Sequence, residues 1–309
     1  MVDAAVGRVV VAGSLNWDLH LHVDRFAHPG ETVVARRSSE GAGGKGLNQA
    51  VAAARVGAAV VFVGTVGDDE PGARLVAVLR REGVDTSAVR TSSGEPSGMA
   101  VVQVDADGAN HIVVRPGANA ATAIDLVDGI ELSAADVLVV QAEIPEAAVA
   151  AFLAAGRAAG ARTLLNLAPY RPVPATVMAD VSILVVNQHE AAGLLGRTSH
   201  ELPPQEVAAE VRALGPDAAV VTFGELGLAV ATSSDGWFEP ARVVAARDTT
   251  GAGDALVGVT AAGLARGIDV ADALRRGVAA ASLAVQREGA AAAMPHEDEL
   301  DEELARPQG

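Results

Sequence analysis

Apolar residues along the chain form short continuous runs separated by longer segments rich in small residues. The runs predict buried strands at 8–13, 61–67, 136–141, 162–166, 181–186 and 218–222. The segments between and after them predict helices at 46–56, 68–82, 145–159, from 188 onward, 255–266 and 270–287. Strands that alternate with helices are typical of an α/β protein with a doubly wound, mostly parallel sheet flanked by helices.

Two segments break this alternation and predict a small, separate antiparallel sheet. Residues 19–24 alternate between apolar and polar side chains, residues 32–36 form another extended stretch, and residues 97–115 are also extended. Within the last of these, Asp107-Gly108 is a hairpin signal. We therefore expect a large α/β domain made of residues 1–13, 41–95 and 117–309, and a small β lid made of residues 14–40 and 96–116.

Composition narrows the possible partners and the compartment. The chain has 309 residues, half of them hydrophobic, and a formal net charge of −16, which argues against nucleic acid or an anionic membrane surface as a partner. An acidic protein binds an anionic nucleotide only through a local cradle and usually a metal. The chain has no cysteine, no signal-like N-terminus and no long apolar run, so we expect a cytoplasmic protein without disulfides or membrane spans.

A glycine-rich stretch at residues 247–258, R-D-T-T-G-A-G-D-A-L-V-G, carries the strongest chemical signal. Gly251 and Gly253 open a helix of small residues, and glycines at a helix N-terminus allow backbone N–H groups to approach an anion. Asp254 places a carboxylate beside that cradle. A base next to an anion cradle is typical of phosphoryl transfer. The alternative is that Asp254 or Asp248 only caps the helix.

A second glycine-rich stretch begins at Gly41. Gly41, Gly43 and Gly46 match the spacing G-x-G-x-x-G, but no clear buried strand precedes them, so a dinucleotide site is not indicated. Lys45 is followed by glycine rather than Ser or Thr, which excludes a Walker A loop. We expect a helix N-terminus that approaches a small polar ligand, with Asn48 directed at it. The alternative is that Lys45 and Asn48 are simply solvated.

Polar side chains follow most of the predicted strands. Ligands of open α/β sheets bind at the carboxyl ends of the strands, so these residues are expected to line one site. A single one of them could be a turn former, but their recurrence along one edge favours a binding site. They are Gln141, Glu143, Asn166, Asn187, Glu190 and Thr222, and Gly224 follows at the end of the last strand.

Several motifs in order identify a family resemblance. They are G-S-L-N-W-D at 13–18, G-G-K-G-L-N-Q-A at 43–50, P-G-A-N-A at 116–120, N-x-x-E at 187–190 and D-T-T-G-A-G-D at 248–254. With these motifs the chain resembles the ribokinase-like (PfkB) carbohydrate kinases nearly from end to end. The resemblance implies ATP-dependent transfer of the γ-phosphoryl group to the primary hydroxyl of D-ribose, with Mg²⁺ and a monovalent cation, usually K⁺.

The resemblance also implies roles for particular residues. Asp254 corresponds to the general base, and the backbone N–H groups of Gly251, Ala252, Gly253 and Asp254 to the anion hole. The sugar ligands implied are Asn16, Asp18, Gly43, Gly44, Lys45, Asn48, Glu143 and Asp254. The nucleotide side comprises Asn187, Thr222, Gly224, Gly227, Gly251 and Gly253, with Glu190 holding Mg²⁺ through water, whereas Asp248, Thr250 and Gly289 correspond to the monovalent-cation site.

Three other expectations follow from the resemblance. The lid is often a dimer interface in this family, so we expect a homodimer through the lid. Trp17 and Met99 depart from the usual residues of the sugar-covering segment and are expected to influence substrate choice, and Ala293 stands where a serine often lies near the cation. Alternatives are the same chemistry on another furanose, a ketose or a nucleoside, and a non-catalytic sugar or nucleotide sensor.

Overall fold

The strands of the protein form two sheets. The computed structural model describes residues 7–106, 109–197 and 202–306. Its strands are Val9–Ala12 (β1), Asn16–His22 (β2), Arg37–Gly43 (β3), Val60–Gly67 (β4), Asp85–Ser92 (β5), Gly98–Val104 (β6), Asn110–Arg115 (β7), Val137–Gln141 (β8), Arg162–Asn166 (β9), Ile183–Asn187 (β10), Ala218–Thr222 (β11), Gly227–Ala231 (β12) and Gly236–Pro240 (β13).

The larger sheet has nine strands in the order β13-β12-β11-β10-β9-β8-β1-β4-β5. The seven strands from β11 to β5 pair in parallel, and only β12 and β13 run antiparallel to their neighbours. The carboxyl ends of the parallel strands therefore meet at one edge. This architecture confirms the predicted mostly parallel α/β fold.

Helices cover both faces of the large sheet. They are Lys45–Arg55 (α1), Glu70–Arg81 (α2), Glu146–Ala158 (α3), Ala175–Met178 (α4), Gln188–Leu194 (α5), Pro204–Arg212 (α6), Ala252–Ala265 (α7), Val270–Ala284 (α8) and Glu297–Ala305 (α9). Val9 and Val11 belong to a core shared with α1, α2, α7, α8 and α9, whereas Val10 and Ala12 belong to a second core shared with α3 to α6. No described helix has the length and apolar character needed to cross a bilayer.

The small sheet has the order β3-β2-β6-β7 and differs from the prediction in one respect. Its central pair, β2 and β6, is parallel rather than antiparallel. The large-domain elements β4, α2 and β5 lie between these strands in sequence, and such a long connection permits parallel pairing where a short hairpin does not. The hairpin signal at 107–108 lies outside the described residues.

Several predicted boundaries were wrong or incomplete. Residues 32–36 form no strand, and β3 begins at Arg37. The last predicted helix stops at Ala284 rather than Arg287, since the backbone N–H groups of Arg247 and Asp248 both donate to the carbonyl of Val285 there. The sequence pattern also missed β5, β12, β13 and α6.

Candidate active site

The glycine-rich turn before α7 has the geometry of an anion cradle. Gly251 precedes the first helical residue and has a φ of 77°, a left-handed conformation that favours glycine. A Cβ built there would lie 3.1 Å from the Cα of Ala290, so the turn also packs closely against the loop before Met294. The side chains of α7 are buried from Asp254 to Ala265, which fixes the helix between α1 and α8.

Asp254 is the third residue of α7 and does not cap it. Its side chain is buried, and each of its carboxylate oxygens accepts one side-chain amide hydrogen bond. Asn48 Nδ2 donates to one oxygen at 2.9 Å, and Gln49 Nε2 donates to the other at 2.9 Å. The alternative that Asp254 is only a helix cap is therefore wrong, and the two amides instead fix the plane of its carboxylate.

Gln49 connects this carboxylate to the edge of the large sheet. Its Nε2 also donates to Asn166 Oδ1 at 3.0 Å, and its Oε1 accepts from Gln141 Nε2 at 2.6 Å. Gln141 and Asn166 end neighbouring strands, β8 and β9. A role was predicted for the strand ends but none for Gln49, although Gln49 is part of the motif G-G-K-G-L-N-Q-A.

Asn16 and Asp18 extend from one face of β2. Asn119, in the motif P-G-A-N-A, accepts the backbone N–H of Leu15 at 2.9 Å and donates to Asn16 Oδ1 at 2.8 Å. Asn119 is buried, and its hydrogen bond to Asn16 Oδ1 fixes the orientation of the Asn16 amide. The motif was recognisable in the sequence, but no role was predicted for Asn119.

Gly43 makes room for Asp18. A Cβ built on Gly43 would lie 1.9 Å from Asp18 Oδ2, far closer than real atoms approach. The next residue, Gly44, has a φ of 90° and precedes α1, so the chain turns directly from β3 into the helix that carries Lys45 and Asn48. These glycines allow the small sheet and α1 to meet at Asp18.

Glu143 joins the start of α1 to the end of β8. Its Oε2 accepts from Ser14 Oγ at 2.5 Å and from the backbone N–H of Lys45 at 3.0 Å. The structure thus brings the predicted sugar ligands together around the start of α1. Ser14 was not among them, although it belongs to the motif that contains Asn16.

The site contains a partly buried lysine and a carboxyl group whose pKa values are both raised. Lys45 is the only lysine of a chain that has 23 Lys and Arg residues in total. Burial favours its neutral amine, but nearby carboxylates, led by that of Asp254, raise its pKa. Burial, together with the charges of Glu143 and Asp254, raises the pKa of Asp18 to about 7. Asp18 is therefore partly protonated near neutral pH.

Two acceptors on the predicted sugar ligands have no donor among the described residues, and Gln141 Oε1 at the end of β8 is a third buried acceptor without one. Asp18 Oδ1 and Asn48 Oδ1 are both buried, and neither has a hydrogen-bond partner in the described part of the chain. Buried polar atoms in folded proteins are almost always hydrogen-bonded. A ligand with several hydroxyl groups would supply the missing donors, so these atoms fit a sugar.

A cavity of about 460 Å³ adjoins the start of α7. Its described lining residues include Ala252 and Gly253 but none of the predicted sugar ligands. Its polar wall contains predicted nucleotide residues, namely Asn187, Thr222, Gly224, Gly227 and Gly253. Its apolar wall contains Val244, Leu256, Val278, Ala281 and Val285. Small-molecule sites in proteins have this size range and this mixture of apolar walls with a few polar groups.

Asn187 and Glu190 form a capping box at the start of α5. Asn187 Oδ1 accepts the backbone N–H groups of His189 and Glu190 at 2.8 and 2.9 Å, and Glu190 Oε2 accepts that of Asn187 at 2.8 Å. Burial raises the pKa of Glu190, while Asn187 and Lys45 oppose the shift. The bonds of Asn187 leave its amide NH₂ as a donor beside the cavity.

Asp248 ties the glycine-rich turn to the loop before Ala290. Its Oδ1 accepts the backbone N–H of Thr250 and its Oδ2 that of Gly289, both at 2.9 Å. Burial would raise the pKa of Asp248, but the hydrogen bonds from Thr250 and Gly289 outweigh it, and the pKa is lowered. The three predicted cation-site residues therefore lie together around an ionised carboxylate.

Trp17 and Met99 do not face this site. They pair with each other across β2 and β6, and successive strand residues point to opposite faces, so both lie on the face away from Asn16 and Asp18. Trp17 Nε1 donates to Glu40 at 2.9 Å on that face. These two side chains therefore do not line the site, and their influence on substrate choice stays a prediction.

Comparison with known proteins adds independent information. Residues 6–297 match the model of the pfkB family carbohydrate kinases. The chain is 36% identical to the ribokinase of Bacillus subtilis over 96% of this chain and 99% of that one.

Two solved ribokinase structures also superpose closely on the chain. The ribokinase of Thermotoga maritima superposes with a TM-score of 0.88 at 30% identity and covers 97% of this chain and 99% of its own. The Arabidopsis thaliana ribokinase complexed with ribose and ATP superposes with a TM-score of 0.87 at 29% identity and covers 98% of this chain and 100% of its own.

Proposed function

Because the chain belongs to the PfkB family of carbohydrate kinases, we propose that it transfers the γ-phosphoryl group of ATP to the primary hydroxyl of D-ribose. The observation that supports this most strongly is the pair of buried acceptors without donors, Asp18 Oδ1 and Asn48 Oδ1, close to Asp254. A pentose has several hydroxyl donors and no charge. Carboxylate and amide oxygens bind such a ligand through strong, charge-assisted hydrogen bonds.

The sugar is held between β2 and α1. Asp18 and Asn48 accept from its hydroxyl groups and the amide NH₂ of Asn16 donates to it, while Glu143 and Lys45 complete the polar wall, together with the backbone of Gly43 and Gly44. A deoxy sugar would leave at least one buried acceptor without a donor, and such a loss discriminates strongly against the analogue.

Asp254 receives the proton of the primary hydroxyl as the oxygen attacks the γ-phosphorus. Its carboxylate is positioned by hydrogen bonds from Asn48 and Gln49. The backbone N–H groups from Gly251 to Asp254 stabilise the charge on the transferred group, because the N-terminus of α7 is electropositive. Asn187 donates its amide N–H to a phosphate oxygen.

Two cations fit the donor sets of this chain. Glu190 supplies one carboxylate beside the cavity, and Mg²⁺ prefers few protein oxygens because it keeps several waters. Mg²⁺ would neutralise the phosphate charge there. Asp248, with oxygens of the turn at Thr250 and the loop at Gly289, suits a monovalent cation such as K⁺. Ala293 contributes no hydroxyl to that site.

A substrate panel tests this function. ADP release is measured with ATP, Mg²⁺ and D-ribose, 2-deoxyribose, fructose, tagatose or adenosine, each with and without K⁺. We expect turnover on D-ribose to exceed that on the other substrates and to rise with K⁺. Turnover on only one of the other substrates would support phosphoryl transfer but show that D-ribose is not the acceptor. Sugar binding without any ADP release would favour a sensor.

The small sheet is proposed to be a lid and a dimer interface of a cytoplasmic enzyme, with residues 14–40 and 96–116 as its limits. Its edge strand β7 exposes Ile112, Val113 and Val114 by 53%, 70% and 46%. A small sheet with an apolar exposed edge gains stability by pairing with another copy. We expect a dimer mass by light scattering at micromolar concentration, and a monomer would contradict the proposed interface.

Sugar affinity is expected to fall as the pH falls below neutral. Since the pKa of Asp18 is raised to about 7, this carboxyl is ionised above that pH and protonated below it. Only the ionised form offers acceptors at both oxygens, so the dissociation constant for D-ribose should rise about tenfold between pH 8 and pH 6. Calorimetry without nucleotide measures this. An affinity that is the same at both pH values would contradict the role of Asp18, and Asp18→Asn should remove the dependence.

A further inference from the structure

An arginine lines the nucleotide cavity and has no role in the mechanism above. Arg242 follows β13 by two residues and contributes to the cavity wall together with Ala241 and Val244. Among the described residues that line this cavity, it is the only arginine or lysine. The chain carries a net charge of −16, so most of its surface repels an anionic nucleotide, whereas the positive charge of Arg242 attracts one.

Arg242 is held by the C-terminal helix α9. Its Nη1 donates to the backbone carbonyl of Glu303 at 2.6 Å and to Glu303 Oε1 at 3.2 Å. The two side chains are only 7% and 6% exposed. Glu303 also accepts from Arg306 at 2.9 Å. The acidic helix α9 therefore contributes one partner of a buried ion pair at the wall of this cavity.

A buried ion pair is a poor source of stability. The cost of removing two charges from water offsets their attraction, and apolar replacements of similar volume are often neutral or stabilising. Folding alone therefore does not account for a charged pair at this position. A role in ligand binding accounts for it, because arginine has only donors and suits a ligand rich in acceptors.

One donor of Arg242 is still unused. Its Nε is buried and has no hydrogen-bond partner in the described chain. A buried donor without an acceptor costs about 1–3 kcal/mol, so an acceptor on a bound molecule would relieve it. Because Arg242 lines the nucleotide cavity, the phosphoryl donor is the molecule best placed to supply such an acceptor.

We propose that Arg242, positioned by Glu303, binds an acceptor group of the nucleotide and determines the affinity for the phosphoryl donor. This inference rests on the proposed kinase function and assigns a residue to its donor site. The acceptor belongs either to the phosphates or to the base. Guanine presents two adjacent acceptors to an arginine, whereas adenine presents one acceptor beside an amino group, so a base contact would favour guanine nucleotides.

Direct binding tests this proposal without turnover. Calorimetry measures the affinities for MgADP, MgGDP, inorganic pyrophosphate and D-ribose in the full chain and in the double variant R242M/E303M. This variant removes both charges together, so no unpaired charge is left buried and it should fold normally. We expect nucleotide affinity to fall about tenfold while D-ribose affinity is unchanged, since one charge-assisted hydrogen bond is lost.

Matched variants separate binding from structure. Arg306 also pairs with Glu303 but is exposed, so R306M should leave nucleotide affinity unchanged. Glu303→Gln keeps the shape of the positioning residue and should give a smaller loss than the double variant. A merely structural role would lower thermal stability and affect the nucleotide and D-ribose affinities alike.

The ligands distinguish the two sources of the acceptor. Unequal losses for MgADP and MgGDP indicate a base contact, whereas equal losses together with weaker pyrophosphate binding indicate a phosphate contact. Unchanged affinity for both nucleotides in a folded double variant would overturn the proposal. The native chain could bind the nucleotides but release no ADP on the substrate panel. That result would contradict the kinase function, whereas the calorimetry would still decide whether Arg242 binds the nucleotide.

Discussion

Replacing Asp254 by Asn is expected to lower kcat for D-ribose phosphorylation by about 10²–10⁴-fold, the usual contribution of a positioned general base. The amide keeps the size of the side chain but cannot accept the proton of the primary hydroxyl. The new amide oxygen can accept from Gln49, and Asn48 can rotate its amide so that its Oδ1, which has no donor among the described residues, accepts from the new NH₂; the site should therefore stay folded.

Steady-state ADP release gives kcat, and calorimetry gives the D-ribose affinity of the same variant. Asp272→Asn is a suitable control, because Asp272 lies in the first turn of α8 with its side chain 52% exposed. Near-normal turnover of Asp254→Asn would show that another group accepts the proton. Loss of both turnover and sugar binding would show that Asp254 acts mainly in binding.

Replacing Gly43 by Ala is expected to raise KM for D-ribose by about 10- to 100-fold, as an overpacked site costs about 1–3 kcal/mol. The added methyl group would lie 1.9 Å from Asp18 Oδ2, so the carboxylate must move. KM for ATP should change little, because the nucleotide cavity is lined by other residues. Steady-state kinetics with each substrate varied in turn measures both constants.

Gly41→Ala is the matched control. Gly41 lies on the same strand, β3, and a Cβ built on it meets nothing within 4 Å. This variant should therefore keep the KM for D-ribose of the native chain. If Gly43→Ala also kept it, the carboxylate of Asp18 would not be a sugar ligand.

The parallel sheet could be predicted from the sequence because its strands are buried on both faces. Such strands are continuous apolar runs, and β9 and β11 were predicted with their observed bounds. The edge strands β5 and β13 carry exposed polar residues and lack this signal. Hydrophobic pattern therefore predicts the centre of a sheet better than its edges.

The candidate site was only partly predictable for a related reason. Motifs locate residues such as Asp254 and Asp18, but they do not show which neighbours hold them in place. Gln49 and Asn119 act through side-chain hydrogen bonds across 205 and 103 residues of sequence. Contacts of this kind depend on tertiary packing and leave no periodic signal.

The orientation of side chains in the small sheet was only partly predictable. Trp17 lies between Asn16 and Asp18 in sequence but points to the opposite face, as alternation in a strand requires. Alternation was available from the sequence, but the pairing of Trp17 with Met99 depends on the β2–β6 register. Arg242 carried no sequence signal at all, since its partner Glu303 lies on the last helix.

The position of the phosphate on the product tests the proposed reaction most directly. The chain is incubated with ATP, Mg²⁺, K⁺ and D-ribose, and the product is examined by phosphorus–proton correlation NMR. We predict a phosphate coupled to the methylene protons of the primary alcohol carbon, and no such product with Asp254→Asn over the same time. A phosphate on any other carbon, or no sugar phosphate at all from the native chain, would contradict transfer to the primary hydroxyl.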